Sequence, residues 1–200
     1  KSVNIGLALS LMLGVSAANA GYKMMEANQP VTVAKSTLTV TPDRRWSKLG
    51  ARPGRNAESW TIDGMELNDL TFVAGIDDGK TLFRDIDKAN NPLPRFSATM
   101  LAPDIAQLFE ASYRVALGTP LMSIESLEPA KFAGVDGFRF TFSLTHQGDE
   151  VRRMGEAHGA VIDKRLYLIT FEAPAIHYFE RDRAAARKIA ESATLVRPAK

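Results

Sequence analysis

Phe138-Arg139-Phe140-Thr141-Phe142-Ser143-Leu144-Thr145 alternates apolar and polar residues without a break. This is the period-two pattern of a strand with one face in a core and the other toward polar surroundings. A two-residue hairpin at Gln147-Gly148 would set Phe140 opposite Gly155, Phe138 opposite Ala157, Leu144 opposite Val151 and Arg139 opposite Glu156. One pair spoils the sorting, because Phe142 then faces Arg153. A one-residue slip opposes Phe140 to Glu156 and Phe138 to His158, so burial favours the register of the turn. Asp163-Lys164 turns the chain again into Arg165–Glu172, where Leu166, Tyr167, Leu168, Ile169 and Phe171 are apolar on both faces. A strand covered on both sides is central in its sheet, with other elements packed on each face.

The pattern extends in both directions. Toward the N-terminus, Ser36–Thr41 alternates Thr37, Thr39 and Thr41 with Leu38 and Val40 before Pro42-Asp43 stops it. Ala57–Ile62 and Met65–Phe72 flank Asp63-Gly64, a two-residue turn that sets Trp60 opposite Leu67. Asp77-Asp78-Gly79 is a further turn, and Ala89–Pro94 is a loop on the strength of its two prolines. Pro103 and Asp104 suit a first helical turn, and Ile105, Leu108, Phe109, Ser112, Tyr113 and Ala116 follow at helical spacing until Gly118 and Pro120. Pro174 opens a last helix that carries Ile176, Phe179, Ala186, Ile189, Ala190 and Ala193 on one side. The fold class is therefore α+β: an antiparallel meander sheet of about seven strands sandwiched with two main helices, in one domain over residues 36–200.

The succession Leu38-Thr39-Val40-Thr41-Pro42 with Trp46, then Gly137-Phe138-Arg139-Phe140, Gly155 through Pro174, and a closing Tyr178-Phe179 helix that ends at Ala190-Glu191-Ser192 resembles the PsbP-like fold. That group includes the PsbP extrinsic subunits of photosystem II and the Mog-type Ran-binding proteins, and many bacterial members are exported. The resemblance covers about residues 36 to 196. It implies an α/β/α sandwich around an antiparallel sheet, and it implies no shared catalytic residues.

Lys1, the apolar run Ile5–Val15 and the small-x-small site Ala18-Asn19-Ala20 have the three parts of a secretory signal. The run is shorter than the roughly 20 residues that span a bilayer. Cleavage after Ala20 is expected, with 21–35 as a leader or linker and the protein periplasmic or secreted. Gly21 stands where a lipidated Cys would be needed, and nothing after Ala20 is long or apolar enough to span. A 200-residue chain with net charge +2 and no cysteine has no disulfide framework, no thiol nucleophile and no Cys-ligated metal. The charge is too balanced for a nucleic-acid footprint.

Candidate chemistry is sparse. Gly75-Ile76-Asp77-Asp78-Gly79-Lys80-Thr81 is one residue short of a phosphate-binding loop between its glycines and reads as an acidic turn. No Gly-x-Ser-x-Gly elbow and no two-histidine metal spacing is present. Neither a metal nor a cofactor is expected. His158, with Glu156 and less directly Asp136, is the candidate acid–base cluster of a hydrolase; the competing reading is a set of cross-strand ion pairs. Arg44, Arg45, Trp46, Lys48, Arg52 and Arg55 form a basic stretch without an acid, a candidate surface for an anionic ligand or an envelope partner. The leading expectation is a non-catalytic accessory or binding protein of a bacterial envelope, the alternative a periplasmic hydrolase around His158. A ligand carrier is a third reading, and it requires an apolar cavity between sheet and helix.

Overall fold

The computed structural model describes residues 22–119 and 121–196. The stretch 1–20, expected to be a signal, and Pro120, expected to stop the first helix, lie outside them. In chain order the elements are β1 (Lys23–Met25), β2 (Val31–Thr32), β3 (Leu38–Val40), β4 (Trp46–Lys48), β5 (Ala57–Thr61), β6 (Asp69–Ile76), α1 (Ala102–Ala116), β7 (Met122–Phe132), β8 (Val135–Thr145), β9 (Arg152–Ile162), β10 (Arg165–Pro174), α2 (Tyr178–Glu191) and β11 (Thr194–Leu195). An eight-stranded antiparallel sheet runs β1-β4-β5-β6-β10-β9-β8-β7, and a three-stranded sheet runs β11-β3-β2.

β10 lies between β6 and β9 and is buried along both faces after its first residue, as its unbroken apolar run requires. Its alternation sorts two cores. Tyr167, Ile169 and Phe171 join Leu70, Phe72, Trp46 and Trp60 beneath Phe179, Ala186 and Ile189 of α2, with Val33, Leu38 and Val40. Leu166 and Leu168 join Val73, Ala157 and the row Phe138, Phe140, Phe142 and Leu144 beneath Ile105, Leu108, Phe109 and Tyr113 of α1. The sheet is thus sandwiched between helices. Asp104 starts α1 by accepting a hydrogen bond from the Leu101 amide at 2.9 Å.

Two turns depart from expectation. The β8–β9 pairing sets Phe142 opposite Gly155, Phe140 opposite Ala157, Phe138 opposite Gly159, Arg139 opposite His158 and Leu144 opposite Arg153, two residues displaced from the tight hairpin. The displacement keeps every side chain on its expected face and relocates the glycines. A Cβ on Gly155 would collide with the Phe142 ring, and one on Gly159 would sit 2.5 Å from Leu168 Cδ2 and from the Tyr167 carbonyl oxygen and 3.2 Å from Phe138 Cζ, so side chains and neighbouring backbone together require these positions to lack a side chain. The β5–β6 pairing sets Trp60 opposite Leu70 rather than Leu67. Asn68 makes the longer loop, since its Oδ1 accepts from Thr61 Oγ1 and Ile62 N, both at 2.7 Å, and from Asp63 N at 3.2 Å. By contrast Asp163 and Lys164, with φ of 50° and 62°, form the expected two-residue hairpin.

Residues read as a leader take part in the fold: β1 pairs with β4, β2 pairs with β3, and Val33 and Ala34 are buried. Pro174 ends β10 instead of opening α2, which leaves Ile176 exposed. Asp182, outside the apolar row expected for α2, is buried and accepts from Arg181, Arg44 and Asn68. β7 is an edge strand with a bulge between Ile124 and Ser126. Among the described residues no helix is long and apolar enough to cross a membrane.

Candidate functional site

The expected cluster at His158 is closed off. His158 opposes Arg139 on a face covered by α2, and its Nε2 lies 2.7 Å from Glu156 Oε1. Glu156 also takes two hydrogen bonds from Arg187 of α2, one of them from Nε at 2.9 Å. Burial raises the Glu156 carboxyl, but the bonds from His158 and Arg187 outweigh it and hold the group down at about 2. The hollow beside them is about 10 Å³, too small for a substrate. Asp136 stands apart at the start of β8, where it accepts a hydrogen bond from Lys131 Nζ at 2.6 Å. The cluster is an ion-paired anchor for α2.

The basic stretch is likewise distributed. Trp46 is buried against Phe171 and presents no aromatic surface. Arg44 pairs with Asp43 and Asp182, Arg45 with Glu26, and Lys48 with Glu58. Arg55 is exposed. Arg52 turns inward, donates from Nε to the Ala57 carbonyl at 2.9 Å, and reaches the rim of a cavity of about 500 Å³.

This cavity lies between α1, the sheet and the connection from β6 to α1. Small-molecule sites typically occupy ~300–1,000 Å³ and combine apolar walls with a few placed polar groups. Leu49, Pro53, Phe83, Ile86, Leu93 and Leu117 supply much of the apolar wall. The floor comes from strand alternation. Ser59, Thr71, Asp69, Thr170 and Glu172 share the α1 face through the pairs Ser59–Thr71, Thr170–Thr71 and Glu172–Asp69, and Tyr113 looks down from α1. Ser59 Oγ and Thr71 Oγ1 are 2.5 Å apart, and Thr71 donates to Asp69 Oδ1 at 2.8 Å.

Glu172 is the centre of this floor. Its Oε1 accepts from Arg153 Nε at 3.1 Å and lies 3.5 Å from His146 Nε2, which the β8–β9 turn delivers. The rest of the Arg153 guanidinium donates to the carbonyls of Glu66 at 2.7 Å and Met65 at 3.3 Å. Among the described residues, Glu172 Oε2 and, beyond its ion-pair approach to Glu172 Oε1, His146 Nε2 are buried without a hydrogen-bond partner, as are Arg52 Nη2 and Asp85 Oδ2 nearer the mouth. Unpaired buried polar atoms are costly, and these four converge on one cavity. Burial, and then the neighbouring charge of Glu172, push the Asp69 carboxyl up to about 7. Burial likewise pushes the Tyr113 phenol well up, with Glu172 and Asp69 adding to it, so the phenol stays neutral. The contact with Glu172 raises the His146 imidazole against a smaller opposing effect of burial.

Of these residues only His146 is conspicuous in the sequence. Arg153, the residue that spoiled the sorting opposite the phenylalanines, is the one visible sign of a charged partner on the core face. Glu172 closing an apolar central strand is its counterpart.

No protein-family profile matches the chain, and no curated protein does. Among solved structures it is similar to cyanobacterial PsbP (CyanoP) from Synechocystis sp. PCC 6803, at 16% identity with a TM-score of 0.54, over 92% of this chain and 99% of that one. It also matches LpqN, involved in cell envelope biogenesis of Mycobacterium tuberculosis, at 11% identity with a TM-score of 0.39, over 87% of this chain and 92% of that one. Sheet, helices and the extent of the CyanoP match agree with the element order that first suggested it: the architecture is that of the PsbP-like fold.

Proposed function

We propose that this chain is an exported, non-catalytic binding protein of the bacterial envelope that holds a small molecule in the cavity between α1 and the sheet. One observation carries the reading: a ligand-sized space of about 500 Å³ with apolar walls whose floor and mouth contain four buried, unpartnered polar atoms. Glu172 on β10 is fixed by Arg153, and Arg52 by the Ala57 carbonyl, so these groups need little ordering on binding. Export rests on residues 1–20, whose n-region, apolar run and small-x-small site have the order of a cleavable signal.

N-phenyl-1-naphthylamine, a neutral apolar fluorophore, tests the cavity. The expected result is saturable binding of one probe per chain, lost in Ala116→Trp, whose indole enters the cavity from the last turn of α1. Ala116 is exposed, so the variant keeps the melting temperature of the parent. Absence of saturable binding, or binding unchanged by the indole, overturns the reading. Export has its own check: N-terminal sequencing of the envelope fraction is expected to begin at Gly21, and a chain that begins before Gly21 refutes cleavage.

A further inference from the structure

Two of the four unfilled groups in the cavity are acceptors, the Glu172 and Asp85 carboxylate oxygens, alongside Arg52 Nη2 and His146 Nε2. Glu172 is 5% exposed, and its Oε2 has no partner although Oε1 is occupied by Arg153. Asp85 Oδ2 at the mouth is unfilled as well. Arg153, the cation nearest the floor, is spent on Glu172 and on the carbonyls of Glu66 and Met65. It has little to offer an anion. The carboxylates of Glu66, Asp69, Asp85, Asp87 and Glu172 line the space against the guanidiniums of Arg52 and Arg84 and the imidazole of His146.

From this geometry we propose that the ligand is a small amphipathic amine, its ammonium seated against Glu172 and Asp69 and its apolar body filling the mouth. The inference rests on the binding reading above and specifies its ligand. An ammonium supplies donors where acceptors are open, and charge-assisted bonds in a desolvated floor are the strong ones.

A consequence is proton release. Near neutral pH Asp69 is partly protonated, because its carboxyl is pushed up to about 7, and His146 is biased toward its charged form by Glu172. A cation arriving at the floor favours loss of either proton, whereas an anion would favour uptake. Tyr113 contributes no charge of its own here. Affinity for an amine therefore weakens as pH falls and both groups fill.

Calorimetric titration of the full mature chain with octylammonium, octan-1-ol and octanoate below their micelle concentrations separates the possibilities. Octylammonium is expected to bind about tenfold or more tighter than either partner, to release up to about one proton in buffers of different ionisation heat, and to weaken between about pH 8 and pH 5.5. Glu172→Gln is expected to reduce octylammonium to the affinity of octanol and leave octanol unchanged. Asp69→Asn, a second variant that mimics the protonated acid, is expected to diminish the proton release. Equal binding of the three probes, tightest binding of octanoate, or proton uptake with octylammonium overturns the amine. If the naphthylamine probe binds and no octyl compound does, the amine falls and the cavity reading stands; if neither class binds, both fall.

Discussion

Asp69 begins a strand, and its neighbours decide its charge. Its carboxyl is raised by burial and by Glu172, so the folded chain keeps a proton that the unfolded chain gives up near pH 4. Stability accordingly falls as pH rises from about 4 to about 7 and remains lower above that. Asp69→Asn retains the acceptor for Thr71 and cannot ionise; it is expected to raise stability at pH 8 by ~2–4 kcal/mol, with little effect at pH 4, by urea denaturation. Gly155 is decided by sterics. A methyl there collides with the Phe142 ring, so Gly155→Ala is expected to cost about 2 kcal/mol or more, and Phe142→Leu in the same chain to recover part of it. These two residues mark what was legible. The phenylalanine row and the glycines are visible as a pattern, whereas Asp69, Ser59, Thr71 and Glu172 look like ordinary strand polars until the register brings them to one face. A charged side chain on a core face, as at Arg153, is the only local sign that such a floor exists.

At the scale of elements, alternation read from the sequence decides faces, and turns decide partners. Ala57–Thr61 and β8 point the way their patterns require. Their registers differ from the two-residue turns because Asn68 organises a longer loop and Phe142 takes the place above Gly155. The β8–β9 shift of two residues is invisible to a period-two argument, since it changes no face, whereas the β5–β6 shift of three moves Leu70 and Phe72 onto the face of Trp60. The α2 anchor follows from the same geometry. Glu156→Gln keeps the shape but loses the charge that holds Arg187 and His158, and is expected to cost about 2 kcal/mol at pH 7. Because the Glu156 carboxyl is held at about 2, its stabilisation is present above the unfolded carboxylate range and is lost as pH falls from about 4.5 toward 2. The difference between parent and variant in urea should therefore shrink across that range, and hydrogen exchange of α2 amides should quicken in the variant at pH 7.

Across the whole molecule, the chain lays down β4–β6 as one antiparallel run and β7–β10 as another, and joins them at β6 and β10. The connection between the runs, residues 77–101, has no helix or strand, yet it supplies Phe83, Ile86 and Leu93 to the cavity wall. Its tip at 86–92 is exposed, so trypsin is expected to cut first at Lys88 and leave the two pieces associated, and a bound amine to slow the cut. First cleavage within a strand of the main sheet would refute that order of local stability. The far edge of the sheet has a different significance. β7 is eleven residues long, and a free edge of that length invites a second chain to extend the sheet. The bulge at Ile124/Ser126 breaks the ladder, Pro129 lacks an amide, and Glu125, Glu128 and Lys131 put charge along the strand. The same residues that add little to the core thus keep concentrated protein from growing into fibrils, and Pro129→Val with Lys131→Val is expected to raise light scattering on storage while leaving the melting temperature nearly unchanged.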